Sequence, residues 1–82
     1  MVKQITTLEE LVEETNNCTT FIILYFTAQW CGPCKMISPF IEKLDNNNDI
    51  TNVVFLKIDV DESEELCDKF EIESMPTFIF LD

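Results

Sequence analysis

Cys31 and Cys34 stand three residues apart in the run Trp30-Cys31-Gly32-Pro33-Cys34-Lys35. On a first helical turn, residues i and i+3 hold their Cβ atoms about 5–6 Å apart. A disulfide needs about 3.5–4.5 Å, so a small local adjustment closes or opens the bond. At a helix N-terminus the unpaired N–H groups and the positive dipole end favour negative charge, hence thiolate over thiol, at Cys31. Cys34 lies a turn deeper and reads as the shielded, resolving thiol. A Cys-x-x-Cys beside a βαβ pattern reads as a dithiol redox centre. The plainer alternative is an inert disulfide or two core thiols, and the strand-to-helix position and Gly-Pro spacer favour exchange over it. A zinc site recruiting Cys18 and Cys67 would usually bring a second Cys-x-x-Cys or a His pair, and the chain has no His. Cys67 reads as a small buried hydrophobe and Cys18 as a loop residue.

The elements that must position this pair follow from the apolar pattern. Phe21-Ile22-Ile23-Leu24-Tyr25-Phe26 has no polar alternation, as expected of a strand buried on both faces of an α/β sheet. Met36, Ile37, Phe40, Ile41 and Leu44 then recur at helical intervals, which predicts a helix over residues 32–45 with Pro39 in its interior. The dithiol therefore falls where the strand ends and the helix begins. Val53-Val54-Phe55-Leu56-Lys57-Ile58 reads as a second buried strand, parallel to the first because a helix connects them.

Upstream, residues 1–5 suit a short edge strand. Thr7 and Glu10 have capping-box spacing, and Leu8, Leu11, Val12 and Thr15 predict an amphipathic helix over residues 7–15, with Asn16-Asn17 in the loop after it. Downstream, Asp61 with Glu64 at its third position predicts a capped third helix whose inner face carries Leu66, Cys67 and Phe70. Met75-Pro76-Thr77 leads into a last apolar strand, Phe78-Ile79-Phe80-Leu81.

Eighty-two residues make one domain, and 46% apolar residues with seven Phe predict a folded globular one. Sixteen acidic residues against five Lys give a formal charge of −11. That surface disfavours nucleic acid and anionic membranes as partners. No run reaches the roughly eighteen apolar residues of a membrane span, and residues 1–20 contain no signal-like apolar stretch. Together with four cysteines, this predicts a cytoplasmic, reducing location.

In that order, a strand, Trp-Cys-Gly-Pro-Cys, a Pro-containing helix, a strand with Lys57, a helix and Met-Pro-Thr, the chain closely resembles the thioredoxin family. The resemblance covers essentially all of residues 1–82 as a single domain. It implies an α/β thioredoxin-like fold: a central mixed β-sheet flanked by helices, truncated after the cis-proline strand, since the family continues past Asp82 into one more strand and a helix. Loss of that helix would expose an apolar face through which the chain could dimerise.

The resemblance further implies a protein disulfide reductase. Cys31 would attack and Cys34 resolve. Trp30, Gly32, Pro33, Met75, Pro76 and Thr77 would line a groove for an extended target strand, with a cis bond before Pro76. Electrons would come from NADPH through a thioredoxin reductase, and no cofactor would be bound. One position departs from the family pattern. Tyr25 stands where the family keeps a buried Asp that takes the proton of the resolving thiol, and Lys57 matches that Asp's lysine partner. Lys57 is expected to hydrogen-bond the Tyr25 hydroxyl or to snorkel outward. A phenol is a poor base at neutral pH, so an alternative reading is a redox-weak adaptor that keeps the fold and uses the groove for binding.

Overall fold

A computed structural model describes residues 2–17, 21–46 and 53–81. Strands β1 (Lys3–Gln4), β2 (Phe21–Thr27), β3 (Val53–Asp59) and β4 (Thr77–Leu81) alternate with helices α1 (Leu8–Asn17), α2 (Gly32–Asp45) and α3 (Glu64–Lys69). The sheet order is β1-β3-β2-β4, with β1 and β2 parallel to β3 and β4 antiparallel to β2. This is a mixed sheet, as the resemblance implies.

The unbroken apolar strands are explained by cover on both faces. Ile22, Leu24 and Phe26 of β2 join Leu56 and Ile58 of β3 in one core with Ile5, Leu11 of α1 and Leu66 of α3. The intervening residues point the other way: Tyr25 and Phe55 pack with Ile41 of α2, flanked by Ile23, Ile37 and Phe78. A strand whose successive side chains enter two different cores cannot alternate with polar residues. The ring of Phe26 meets Phe70 edge to face at 5.9 Å, and Tyr25 stacks on Phe78 at 5.3 Å.

Helix α1 begins as its capping-box spacing predicts. Thr7 Oγ1 accepts the Glu10 N–H at 3.1 Å, and the Glu10 carboxylate reaches back to the Thr6 N–H at 3.1 Å. That backbone bond, with the Thr6 and Thr7 hydroxyls, holds the Glu10 carboxyl below the usual carboxylate range. The helix outlasts the predicted end and runs to Asn17, with the Thr15 hydroxyl donating to the Val12 carbonyl at 2.8 Å.

Helix α3 is capped differently from the expectation. Ser63, not Asp61, is the N-cap, and its Oγ accepts the Leu66 N–H at 3.4 Å. The same hydroxyl donates to the Thr6 carbonyl at 2.6 Å, and Leu8 N–H donates to the Glu65 carboxylate at 2.6 Å. The choice of cap is thus made by a tertiary contact between α3 and the β1–α1 junction. Asp61 turns instead toward the β2–α2 junction. Cys18 and Asp82 lie outside the described residues.

Ser63 is almost fully buried and serves both a helix end and a distant carbonyl, so Ser63→Ala removes two hydrogen bonds at once. A lost N-cap costs about 1 kcal/mol, and a stranded buried partner about 1–3 kcal/mol. Urea denaturation should show a loss of about 1–3 kcal/mol for this variant, with Asp61→Ala losing less.

Candidate functional site

Strand β2 ends at Thr27, and a tight turn through Ala28, Gln29 and Trp30 closes with the Cys31 N–H on the Ala28 carbonyl at 3.2 Å. Helix α2 starts immediately. Cys31 is its N-cap in extended backbone (φ −87°, ψ 110°), and Pro33 occupies its first turn, where no N–H is needed. The Cys31 carbonyl takes the first helical bond from Lys35 at 3.2 Å. Its side chain does what a Ser or Asp does at such a position: Sγ accepts the Cys34 N–H at 3.2 Å. The predicted boundaries of α2 are matched residue for residue.

The two cysteines are joined as a disulfide with Cα atoms 5.2 Å apart, within the range such bonds require. Cys34 is 1% exposed and Cys31 6%. The deeper position of Cys34 follows the expectation. Cys31 is less open than expected, and its sulfur lies beside the loop that carries Met75. Ala28, Cys31 and Cys34 form a small cluster against Val60 and Met75.

Of the residues expected to line a groove, Met75 is the distant one placed directly against that sulfur. The peptide bond between Met75 and Pro76 is cis. The Met75 carbonyl oxygen lies 3.8 Å from Cys31 Sγ, a distance at which the reduced thiol can donate to it. Pairing of β4 with β2 begins only at Thr77, opposite Phe26, so the Met75 backbone stands outside the ladder. Thr77 Oγ1 donates to the Ser74 carbonyl and fixes this corner. On the other side Trp30 is 65% exposed, and its indole Nε1–H donates to Asp61 Oδ2 at 2.8 Å. Nothing stands within 4 Å of where a Cβ at Gly32 would lie, so the residue between the two cysteines faces open space. Pro33, Met36, Ile37 and Phe40 continue it as a shallow apolar trough along α2.

Tyr25 and Lys57 are register partners on β2 and β3, and of the two outcomes expected for Lys57 the hydrogen bond to the Tyr25 hydroxyl is not formed. The buried Tyr25 hydroxyl is 3.2 Å from the Cys34 carbonyl, to which it donates, and 3.3 Å from Thr27 Oγ1. The start of α2 packs over the end of β2 and offers its carbonyl to the phenol. Lys57 lines a cavity of about 350 Å³ beneath the helix start, together with Thr27, Cys34, Lys35, Ser38 and Asp59. Asp59, 5% exposed, had not been singled out in the sequence. Its signal was there: two residues after Lys57 in an apolar strand, it must share that lysine's face.

Cys67 is a free thiol on α3, partly buried against the larger core, as its position predicts. Burial raises its pKa, with the neighbouring carboxylates of Asp68, Asp59, Asp61 and Glu64 adding to the effect. Among the described residues no cluster of Cys, Asp and Glu could hold a metal ion, and no helix is long and apolar enough to cross a membrane.

Comparison with known proteins agrees with this geometry. The family model described as Thioredoxin matches residues 2–82. The chain is 44% identical over 72 residues to a thioredoxin H-type from Ricinus communis, a match covering 88% of this chain and 59% of that one. Thioredoxin H1 from Arabidopsis thaliana is 41% identical over 75 residues, or 92% of this chain and 64% of the relative. Among solved structures, Fasciola hepatica thioredoxin superposes with a TM-score of 0.90 at 39% identity, over 99% of this chain and 77% of that one. The chain thus spans 59% to 64% of the length of these curated plant relatives.

The Trp30–Asp61 bond is exposed and holds a side chain in place more than it holds the fold together. Asp61→Ala is expected to change the emission of the chain's single tryptophan while shifting stability by no more than about 1 kcal/mol; unchanged emission would mean the indole is held by packing alone.

Proposed function

The chain belongs to the thioredoxin family, and from that premise we propose that it is a protein disulfide reductase working by thiol–disulfide exchange. One observation carries the reading most directly: Cys31 Sγ receives the Cys34 N–H at the positive end of α2 while lying within bonding reach of the Cys34 sulfur. A backbone donor and a helix dipole both favour the charged form of the attacking sulfur.

In the forward reaction the Cys31 thiolate attacks one sulfur of a target disulfide. A Cys31–target bond forms, and the other target sulfur leaves as thiolate with the bonding electrons. Cys34 then attacks Cys31 Sγ, the Cys31–target bond breaks, and the second target thiolate departs. The target gains two electrons, and the Cys31–Cys34 dithiol loses two. Trp30, Gly32, Pro33 and the Met75-Pro76-Thr77 corner border the sulfur, and the unladdered Met75 backbone suits an extended target segment.

Disulfide-containing proteins are the partners that follow. Regeneration by an NADPH-dependent thioredoxin reductase, a place in electron transport and cell redox homeostasis, and a cytoplasmic location belong to the same reading, because a dithiol must be returned to its reduced form by its compartment. The acidic surface disfavours nucleic acid and membranes as further partners. Exposed Phe21 and Phe80 on the sheet face shared with α2 support association of two copies there.

With dithiothreitol as electron donor, the chain should reduce insulin disulfides, and Cys31→Ser should fall to the reagent's background rate. A serine caps a helix at least as well as a sulfur, so this variant keeps its fold and isolates the chemistry. Equal activity of the two proteins would reject the reading in favour of a binding-only module.

A further inference from the structure

The resolving step needs a proton acceptor, since Cys34 must shed its proton to attack. The neighbouring phenol of Tyr25 is engaged with the Cys34 carbonyl and Thr27. A cavity of about 350 Å³ reaches Cys34 from beneath and is bordered by Thr27, Ser38, Lys35, Lys57 and Asp59. Lysine ammonium groups offer donors only, and hydroxyls are weak bases. Of the side chains bordering this cavity, Asp59 alone carries a carboxylate. It is 5% exposed, and its Oδ1 accepts the Asp61 N–H at 2.9 Å, which fixes the side chain at the end of β3. Its carboxylate makes no other hydrogen bond among the described residues. The cavity volume is many times the roughly 30 Å³ share of one water molecule, so water can relay a proton across it.

We propose that Asp59 is the proton acceptor for Cys34 in the resolving step, by way of the cavity that both residues line. The inference rests on the reductase reading. As Cys34 Sγ bonds to Cys31 Sγ and the target thiolate leaves with the electron pair of the broken bond, the Cys34 proton passes to the Asp59 carboxylate. From there it goes to solvent or to the departing thiolate. The titratable groups around Asp59 are Lys57 on its own strand, Lys35 and the Cys34 thiol across the cavity on α2, and Asp61 with the Cys67 thiol on the α3 side.

The test uses reduced protein mixed rapidly with 5,5′-dithiobis(2-nitrobenzoate), quenched in acid, and mapped by mass spectrometry for Cys31 as a mixed disulfide or as the Cys31–Cys34 bond. Mapping keeps Cys18 and Cys67 out of the readout. Asp59→Asn preserves an oxygen for the Asp61 N–H and removes only the base. Formation of the mixed disulfide should stay within about threefold of wild type, whereas its conversion to Cys31–Cys34 should slow about a hundredfold, the scale of general base catalysis. Conversion in that variant should rise about tenfold per unit between about pH 6 and 8, as loss of the Cys34 proton to solvent rather than to a side chain requires. The wild-type dependence should be shallower, and Asp59→Glu should keep most of the rate. Equal conversion rates and equal pH slopes in wild type and Asp59→Asn would overturn the assignment while leaving the reductase intact. Failure of wild-type Cys31 to form any mixed disulfide would overturn the reductase reading itself. If Asp59→Asn does not fold, slow conversion in Asp59→Glu with normal mixed-disulfide formation would also count against the proposal.

Discussion

The hydrogen bond from the Cys34 amide to Cys31 Sγ is the interaction around which the rest is arranged. It is an ordinary helix N-cap made with sulfur in place of oxygen, so one bond serves both the start of α2 and the chemistry of the thiol. A cap forms only if the residue before the helix is extended and the helix begins on the next one. The Ala28–Cys31 turn supplies the first condition, and Gly32 with Pro33 supplies the second. Displacing the start of α2 by one residue would cost the helix its cap and the sulfur its donor together.

That junction holds its geometry because both elements are anchored elsewhere. β2 sits inside the sheet between β3 and β4, and its two rows of side chains enter separate cores. α2 is tied to the same strand through Ile41, Ile37 and the Tyr25 hydroxyl on the Cys34 carbonyl. Tyr25 therefore joins packing to positioning: its ring stacks on Phe78 of β4 while its hydroxyl grips the first turn of the helix. On the opposite side the Met75–Pro76 corner brings a backbone carbonyl toward Cys31 Sγ. The attacking sulfur is thus held by the strand and helix that flank it and by a corner 44 residues away.

Elements whose reasons are local could be read from the chain. The apolar runs of β2 and β3 and the Gly-Pro start of α2 are of this kind, and the bounds of α2 are matched to the residue. Features decided by tertiary contact could not. Asp61 with Glu64 and Ser63 with Leu66 both have cap spacing, and only the Thr6 carbonyl, 57 residues from Ser63, selects the serine. Lys57 and Tyr25 are paired in register, yet the hydroxyl turns to a carbonyl delivered by α2, which no strand pattern announces. Asp59 was within reach of a period-two reading of β3, but its charge in an apolar strand gained meaning only when the cavity beneath Cys34 was seen. The family resemblance, by contrast, lay in contiguous motifs, and the matches to thioredoxins over residues 2–82 agree with it.

The central claim is that the sulfur at the head of α2 is held in a field that favours its ionised form. The pH dependence of iodoacetamide alkylation at Cys31 in the reduced protein, compared with a cysteine in a short unstructured peptide, measures this directly. The account predicts that the Cys31 rate reaches its plateau at a pH clearly below the peptide's, whose thiol titrates near about 8.5. A Cys31 profile coincident with the peptide's, or displaced to higher pH, would contradict it.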